Sequence, residues 1–498
     1  MSTEKDRRID QDTFRDHLAT VNEEGKRNWI FPKKPSGRYY KARNVVATLL
    51  LLFFFSGPFI TINGQPLLLV NILERKFVIF GMAFWPQDLH LLVFGALSLI
   101  VFIVLFTAVF GRLWCGWACP QTIFMEMVFR RIEYWIEGDR SSQIRLNKSP
   151  WNWNKIWRKT LKHGIFFAMA FLISNLFLAY IIGKNQLFTI ITDPPSQHLA
   201  GLTSITIFSG VFYGVFAFMR EQVCHFICPY GRMQSVLLDN NSINVMYDYK
   251  RGEPRTKVKD RDDIGRKATM DDLGLSGAEY GDCIDCYNCV RVCPMGIDIR
   301  NGTQLECVHC TACIDACDEV MDKIDKPRGL IRYSSENAIK KGKEKILTPR
   351  VAGYSGILIV LLTVFFTFMS MRSDTETSIL RQPGTLFQEL PHDRYSNIYQ
   401  LKVINKTFDT IDYQVKLQEP EGELTPLGDF NTVPPQGSAS GRFLIKLSEE
   451  QMTGSQTDLT FVIYANGKQI ETVTSGFIGP EPHHKKNQGE EEDHDNEE

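Results

Sequence analysis

The sequence predicts a multi-domain membrane protein: a five-helix α transmembrane region, a cysteine-rich α+β module and a C-terminal all-β immunoglobulin-like sandwich. Three observations predict it. Five stretches are long and apolar enough to cross a bilayer, at about 44–62, 89–110, 164–183, 201–219 and 351–371. Eight of the twelve cysteines crowd into residues 283–320. Residues 390–480 alternate apolar and polar side chains between turn residues such as Asn405-Lys406 and Asn466-Gly467.

The first apolar stretch, "NVVATLLLLFFFSGPFITI", carries Gly57-Pro58, which membrane helices tolerate. The second contains "LLVFGALSLIVFIVLFTAVF", which has no polar face and so does not read as a helix of a soluble core. The 498 residues suggest several domains. A net charge of −1 gives no bulk attraction for nucleic acid, and none is expected as a partner; membrane lipid is. Residues 1–43 are polar and basic, without the short apolar stretch and small-residue cleavage site of a secretory signal.

Lysine and arginine set the expected orientation. Residues 1–43 carry eleven, the link 63–88 only Arg75 and Lys76, the link 111–163 ten, and the link 184–200 only Lys184. Residues 220–350 are again basic where they approach the last span, ending "KKGKEKILTPR". Five spans then place the N-terminus inside and the C-terminus outside. The expected domains are a basic segment 1–43, four helices within 44–219, a cytoplasmic region 220–350, a fifth helix at 351–371, an outer sandwich at 372–480 and an acidic tail at 481–498. That tail reads as disordered, and its His483, His484 and His494 as solvated. The expected location is a bacterial cytoplasmic membrane, with the sandwich periplasmic.

All twelve cysteines fall between 115 and 317, in segments assigned to the cytoplasmic side. That usage disfavours a secreted disulfide framework and favours metal or redox chemistry. "CIDCYNCVRVCP" gives Cys283, Cys286, Cys289 and Cys293 in C-x2-C-x2-C-x3-C-P spacing, and "CVHCTACIDAC" repeats the spacing with Cys307, Cys310, Cys313 and Cys317. This is the bacterial ferredoxin run for two 4Fe-4S clusters. Three close cysteines wrap three corners of a cubane, and the fourth ligates the other cluster. The expected sets are therefore Cys283, Cys286, Cys289 and Cys317, and Cys307, Cys310, Cys313 and Cys293. Pro294 favours an extended Cys293 that turns away from its own loop. Asp318 stands where a second proline would give the same exit turn. Zinc is the alternative, but it usually takes paired C-x2-C units. No nucleotide-binding glycine loop follows a strand. Electrons are expected from a partner, either a cytoplasmic donor or a quinol. No histidine pair within the spans suits a membrane haem.

The remaining cysteines form two Cys-x3-Cys-Pro motifs, "LWCGWACPQT" with Cys115 and Cys119 and "VCHFICPYGR" with Cys224 and Cys228. Each follows an apolar helix pair and an arginine, and each holds an aromatic residue, Trp117 or Phe226, so the two halves read as a weak internal repeat. Either pair could hold a soft ion such as Cu(I), form a disulfide, or pack as small apolar residues. All four thiols could converge on one site. Arg112 and Arg220 are expected to lower the thiol pKa values. Met125 and Met127 read as packing residues. The stretches that follow, "IFMEMVFRRIEYWIEG" and "RMQSVLLD", read either as amphipathic helices along the membrane surface or, equally, as ordinary cytoplasmic helices.

Taken together, "CGWACPQT", "CHFICPYGRMQS" and the run from "CIDCYNC" to "CIDACDEVMDK" resemble the cytochrome c oxidase accessory proteins called CcoG, also known as FixG or RdxA. The resemblance spans nearly the whole chain. It implies a role in assembling cbb3-type oxidase by reducing Cu(II) to Cu(I). It also implies oxidase-assembly and copper-transport proteins as partners, and it matches Cys115, Cys119, Cys224 and Cys228 to the family's thiol pairs. Copper would be a substrate or transient ligand there. Two other functions remain open, a quinol-oxidising electron-transfer subunit and a non-redox copper-binding scaffold. A homodimer is compatible with the sequence.

Overall fold

The computed structural model describes residues 20–480 except 22–23, 63, 73–75, 258–279, 385, 392–393, 429–430 and 466. The acidic tail with His483, His484 and His494, the middle of the polar stretch before Cys283, and Asn466 of the expected turn lie outside the described residues. The chain divides into two compact units: residues 1–60, 69–75 and 86–367, and residues 61–68, 76–85 and 368–498.

Five helices organise the first unit: α1 Arg38–Ser56, α2 Leu89–Phe110, α3 Trp153–Ile182, α4 Leu199–Gly214, which continues as a π-helical turn Val215–Met219, and α5 Pro349–Ser370. Among the described residues, α2, α3, α4 with its π turn, and α5 are long and apolar enough to cross a membrane. The first expected span differs. α1 starts six residues earlier, with Arg38, Lys41 and Arg43 in its first turns, and ends at Ser56 rather than Ile62. Proline is the physical reason. Pro58 has no N–H to bond the Phe54 carbonyl, and the Tyr180 hydroxyl of α3 donates to that carbonyl instead at 2.7 Å. The start of α3 is fixed by the Asn152 side chain, which accepts from the Lys155 amide at 2.9 Å.

Aromatic packing joins these helices. Phe129 stacks on Phe216 with centroids 4.8 Å apart and meets Phe166 edge-on at 5.0 Å. The segment carrying Phe129, a π-helical turn Phe124–Phe129 and a helix Arg130–Glu137, turns its charged face inward. Arg130, Glu133 and Glu137 are buried. Arg130 pairs with Glu126 at 2.9 Å, Lys162 with Glu137 at 2.8 Å and Glu133 at 3.4 Å, Arg220 with Glu133, and Arg27 with Glu221 at 2.7 Å. The polar face points inward because cations and carboxylates from distant parts of the chain neutralise it, while Trp135 is exposed.

The second unit is a two-sheet sandwich. Its strands are β1 Thr375–Arg381, β2 Gln388–Leu390, β3 Arg394–Asn405, β4 Ile411–Glu419, β5 Glu423–Pro426, β6 Thr432–Val433, β7 Ser438–Ser448, β8 Gln456–Ala465 and β9 Lys468–Ile478. One sheet runs β5-β7-β3-β1 with β2 beside β3, and the other β6-β4-β8-β9, all antiparallel. Alternation puts Tyr399, Leu401, Phe443, Ile445, Leu459 and Phe461 into one core. The unit also takes in residues between α1 and α2, which its sequence pattern did not announce. Gln436 accepts from the Ala83 amide at 2.7 Å, its carbonyl takes Lys76 Nζ at 3.0 Å, and Arg372 donates to the Ala83 carbonyl at 2.6 Å.

Candidate metal centres

The eight ferredoxin-type cysteines gather into two sets. Cys283, Cys286, Cys289 and Cys317 line one cavity, with Tyr247, Ile284 and Ile331 among its walls and an empty volume of about 360 Å³. Cys293, Cys307, Cys310 and Cys313 line a second, with Met295, Ile297 and Val308, of about 350 Å³. Cys289 touches both cavities. Local backbone explains the loops. Asp285 and Tyr287 flank Cys286 with φ of 48° and 58°, and His309 and Thr311 flank Cys310 with φ of 53° and 64°. Non-glycine residues rarely take this region, and the same inversion on either side of both middle cysteines curls each loop around its cavity.

The fourth cysteines differ. Cys293 is extended, with φ −68° and ψ 120°, ahead of Pro294. Cys317 lies inside the helix Ala312–Lys323. With Asp318 in place of proline the helix continues, so no exit turn forms there. Asp318 instead accepts from the Gly329 amide at 2.9 Å and from Arg38 at 3.3 Å. All twelve cysteines are free of disulfides. The donor set of four thiols around each apolar-walled cavity fits a 4Fe-4S cluster. Burial pushes the Cys289 and Cys307 thiols up to about 12; a bound positive metal core would favour their thiolate forms.

The two Cys-x3-Cys-Pro motifs meet. Cys115 lies in the short helix Leu113–Trp117 after α2, and Cys224 in the π-helical turn Val223–Ile227 after α4. Cys119 and Cys228 each cap the helix begun by the following proline. Cys119 and Cys228 lie close enough to Cys115 and Cys224 that a negative charge on either would raise both, and Cys115 lies equally within range of Cys224. Burial pushes Cys115 up to about 11 and Cys224 up to about 12. The expected activation by arginine is corrected here. Arg112 does pull both thiols down, but desolvation outweighs it, and Arg220 is engaged by Glu133. Met125 and Met127 are buried in apolar cores.

This thiol centre is seated on the second ferredoxin loop. Cys115 and Cys224 pack against the apolar group Met295, Ile297 and Val308, as do Cys293, Cys307 and Cys310. Gly116 lies so close that a Cβ there would stand 2.5 Å from the Val308 carbonyl oxygen. Arg43 Nε donates to the Gly116 carbonyl at 2.6 Å, and Trp117 Nε1 to the Tyr333 hydroxyl at 3.0 Å. Gln234, wholly buried, points its amide at Cys115 Sγ across 3.1 Å. Sequence reasoning missed Arg43, Gln234, His309 and the Glu133 network, because none belongs to a spaced motif.

A curated relative, Protein RdxA of Cereibacter sphaeroides, is 32% identical over 90% of this chain and 97% of its own length. This chain belongs to the FixG/RdxA family. Protein RdxB of the same organism is 33% identical over 79% of this chain and 82% of its own, and the nitrogen fixation protein FixG of Rhizobium meliloti is 38% identical over 62% and 58%. Family models agree with the FixG/RdxA assignment. A 4Fe-4S dicluster domain matches residues 219–336, the IG-like fold at the C-terminus of FixG matches 365–480, and a 4Fe-4S binding domain matches 92–141. The only cysteines in that last range are Cys115 and Cys119. As a FixG/RdxA protein the chain is a membrane iron–sulfur protein of electron transfer.

Proposed function

We propose that this protein reduces Cu(II) to Cu(I) for the copper supply and assembly of cbb3-type cytochrome c oxidase. Electrons enter at the ferredoxin-type module and leave at the thiol centre. The observation that carries this is that Cys115 and Cys224 pack against the same apolar group, Met295, Ile297 and Val308, as Cys293, Cys307 and Cys310, so packed side chains join module and thiol centre. Clusters held by the two cysteine sets supply one-electron steps, which is the stoichiometry of Cu(II) reduction. Sulfur-rich surroundings favour the softer Cu(I) product.

The location proposed is a bacterial cytoplasmic membrane, crossed five times. α1 counts as a span on connectivity. It leaves a segment where the Tyr39 and Tyr40 amides bond Asp315, at 3.1 and 2.8 Å, and enters residues that belong to the sandwich unit. Lysine and arginine bias puts the ferredoxin-type module in the cytoplasm and the sandwich in the periplasm. A quinol-oxidising subunit is the second function considered. It is disfavoured by place: a wide apolar cavity, lined by Phe171, Leu187, Ile205 and the hydrogen-bonded pair Asp193 and His198, sits at the ends of α3 and α4 away from the thiol motifs.

The test is multi-turnover Cu(II) reduction by the purified full-length chain, with a chemical reductant feeding the module. The wild type should turn over many times. Reduction that stops after about one disulfide equivalent would mean a thiol reaction rather than an electron path.

A further inference from the structure

We propose that Cys115, Cys119, Cys224 and Cys228 hold a third 4Fe-4S cluster, adjacent to the one expected at Cys293, Cys307, Cys310 and Cys313. The inference rests on the electron-carrier function above and gives the thiol centre a resident occupant; copper would then take its electron at the edge of this centre rather than bind all four sulfurs.

Four features carry it. Each motif alone supplies two thiols, half of what a cubane needs, and the fold brings the two pairs together. The cysteines before proline repeat one geometry: Cys119 has φ −63° and ψ 125°, Cys228 φ −70° and ψ 111°, against φ −68° and ψ 120° at Cys293. That is the extended backbone a following proline imposes; Cys119 and Cys228 both stand at the start of a helix, so the two halves of the internal repeat present their second thiols alike. Among the described residues no three His, Cys, Asp or Glu side chains come together tightly enough for a single metal ion. That holds for both ferredoxin-type sets and equally for the thiol centre, so the thiol centre is no more suited to a single ion than they are. The likeness of residues 92–141 to a 4Fe-4S binding domain has no explanation in two cysteines, and Cys224 and Cys228 complete the set.

Surroundings agree. The four thiols are half-buried, the centre is apolar on the side of Met295, Ile297 and Val308, and Gln234 directs an N–H at Cys115 Sγ, the kind of contact that tunes a cluster's potential. Three clusters in a row would extend a one-electron path from the Cys283 set, through the Cys307 set, to the membrane-proximal thiol motifs.

The experiment is iron and acid-labile sulfide analysis of the full-length chain, purified anaerobically in detergent. Mössbauer spectra and low-temperature EPR during graded reduction accompany it. Three clusters give about twelve irons and twelve sulfides per chain, two give about eight of each. Wild type is expected near twelve with three cluster environments. Cys119→Ser/Cys228→Ser should fall to about eight with the two ferredoxin-type signals unchanged. The proposal is overturned if wild type shows two environments at full intensity and about eight irons, with or without copper at the thiols. Should the double variant fail to fold, the number of wild-type environments decides alone; partial loading is read from their relative intensities. Cu(II) turnover by an eight-iron protein would sink this proposal and leave the proposed function standing, and a twelve-iron protein inert to Cu(II) would do the reverse.

Discussion

The backbone amide of Arg112 donates to Nδ1 of His309 across 3.1 Å, tying the residue that opens the first thiol motif to the middle of the second ferredoxin loop. Burial lowers the His309 pKa to about 3, with the Arg112 charge acting the same way, so the ring stays a neutral acceptor. Arg112 reaches further, to the Leu305 and Gly231 carbonyls. One residue therefore joins the thiol motifs to the loop on which they lie.

That junction predicts the effect of Gly116→Ala. The added methyl would meet the carbonyl oxygens of Val308 and His309 at 2.5 and 2.6 Å, both fixed backbone. Relief requires the two loops to separate. A stability loss of about 1–3 kcal/mol is expected, with iron content at the ferredoxin-type sets retained and Cu(II) turnover slowed. Thermal unfolding, iron analysis and steady-state reduction measure the three. Unslowed turnover in a chain with lowered Tm would detach the contact from electron transfer.

The cysteine chemistry was legible because ligand spacing is local. Three cysteines two apart need one loop, and Pro294 signals its own backbone geometry. The C-terminal sandwich was legible for the same reason, since period-two alternation marks which side chains face in. The meeting of Cys115 and Cys119 with Cys224 and Cys228 could only be raised as an open question, because it depends on how α2 and α4 pack. The burial of the charges around Arg130 was not legible for a physical reason. An amphipathic pattern shows which face is polar, not whether water or Arg220, Lys162 and Glu221 solvates it. Desolvation of the thiols is likewise a tertiary quantity, and it reversed the effect expected from Arg112 and Arg220.

The buried ion pairs give a stability prediction. Burial raises the Glu133 carboxyl, but Arg220, Lys162 and Arg130 outweigh it and hold the pKa at about 2 against an ordinary 4.5. A carboxylate whose folded pKa is depressed stabilises fully above its unfolded value and loses that contribution as pH falls. Stability should therefore decline between about pH 4.5 and 2. Glu133→Gln leaves Arg220 without its carboxylate partner and should cost about 3–5 kcal/mol at neutral pH. It should also flatten the acid-side slope in that window. Equilibrium unfolding in detergent at several pH values tests this, and an unchanged slope in the variant would remove Glu133 as the group responsible.

Cluster ligation should cross between the two ferredoxin-type runs. Cys317 shares a cavity with Cys283, Cys286 and Cys289, and Cys293 shares one with Cys307, Cys310 and Cys313. Cys317→Ser should therefore alter the same EPR signal as Cys283→Ser, and Cys293→Ser the same signal as Cys307→Ser. If Cys293→Ser and Cys283→Ser instead perturbed one signal together, each run would be holding its own cluster and the cavity assignment would fail.

Topology can be tested at a position that separates four spans from five. Arg43 at the start of α1 bonds the Gly116 carbonyl, and Lys76 and Ala83, between α1 and α2, bond Gln436 of the sandwich. If the bias of lysine and arginine sets the sandwich outside, residues between α1 and α2 lie outside with it, and α1 must cross. A reporter active only outside the cytoplasm should then work when placed after Gly64 or after Asp374, and fail when placed after Gly342. Activity after Asp374 without activity after Gly64 would return α1 to the cytoplasmic surface. It would also separate the α1–α2 segment from the sandwich, because residues on opposite sides of a membrane cannot share the Gln436 hydrogen bonds.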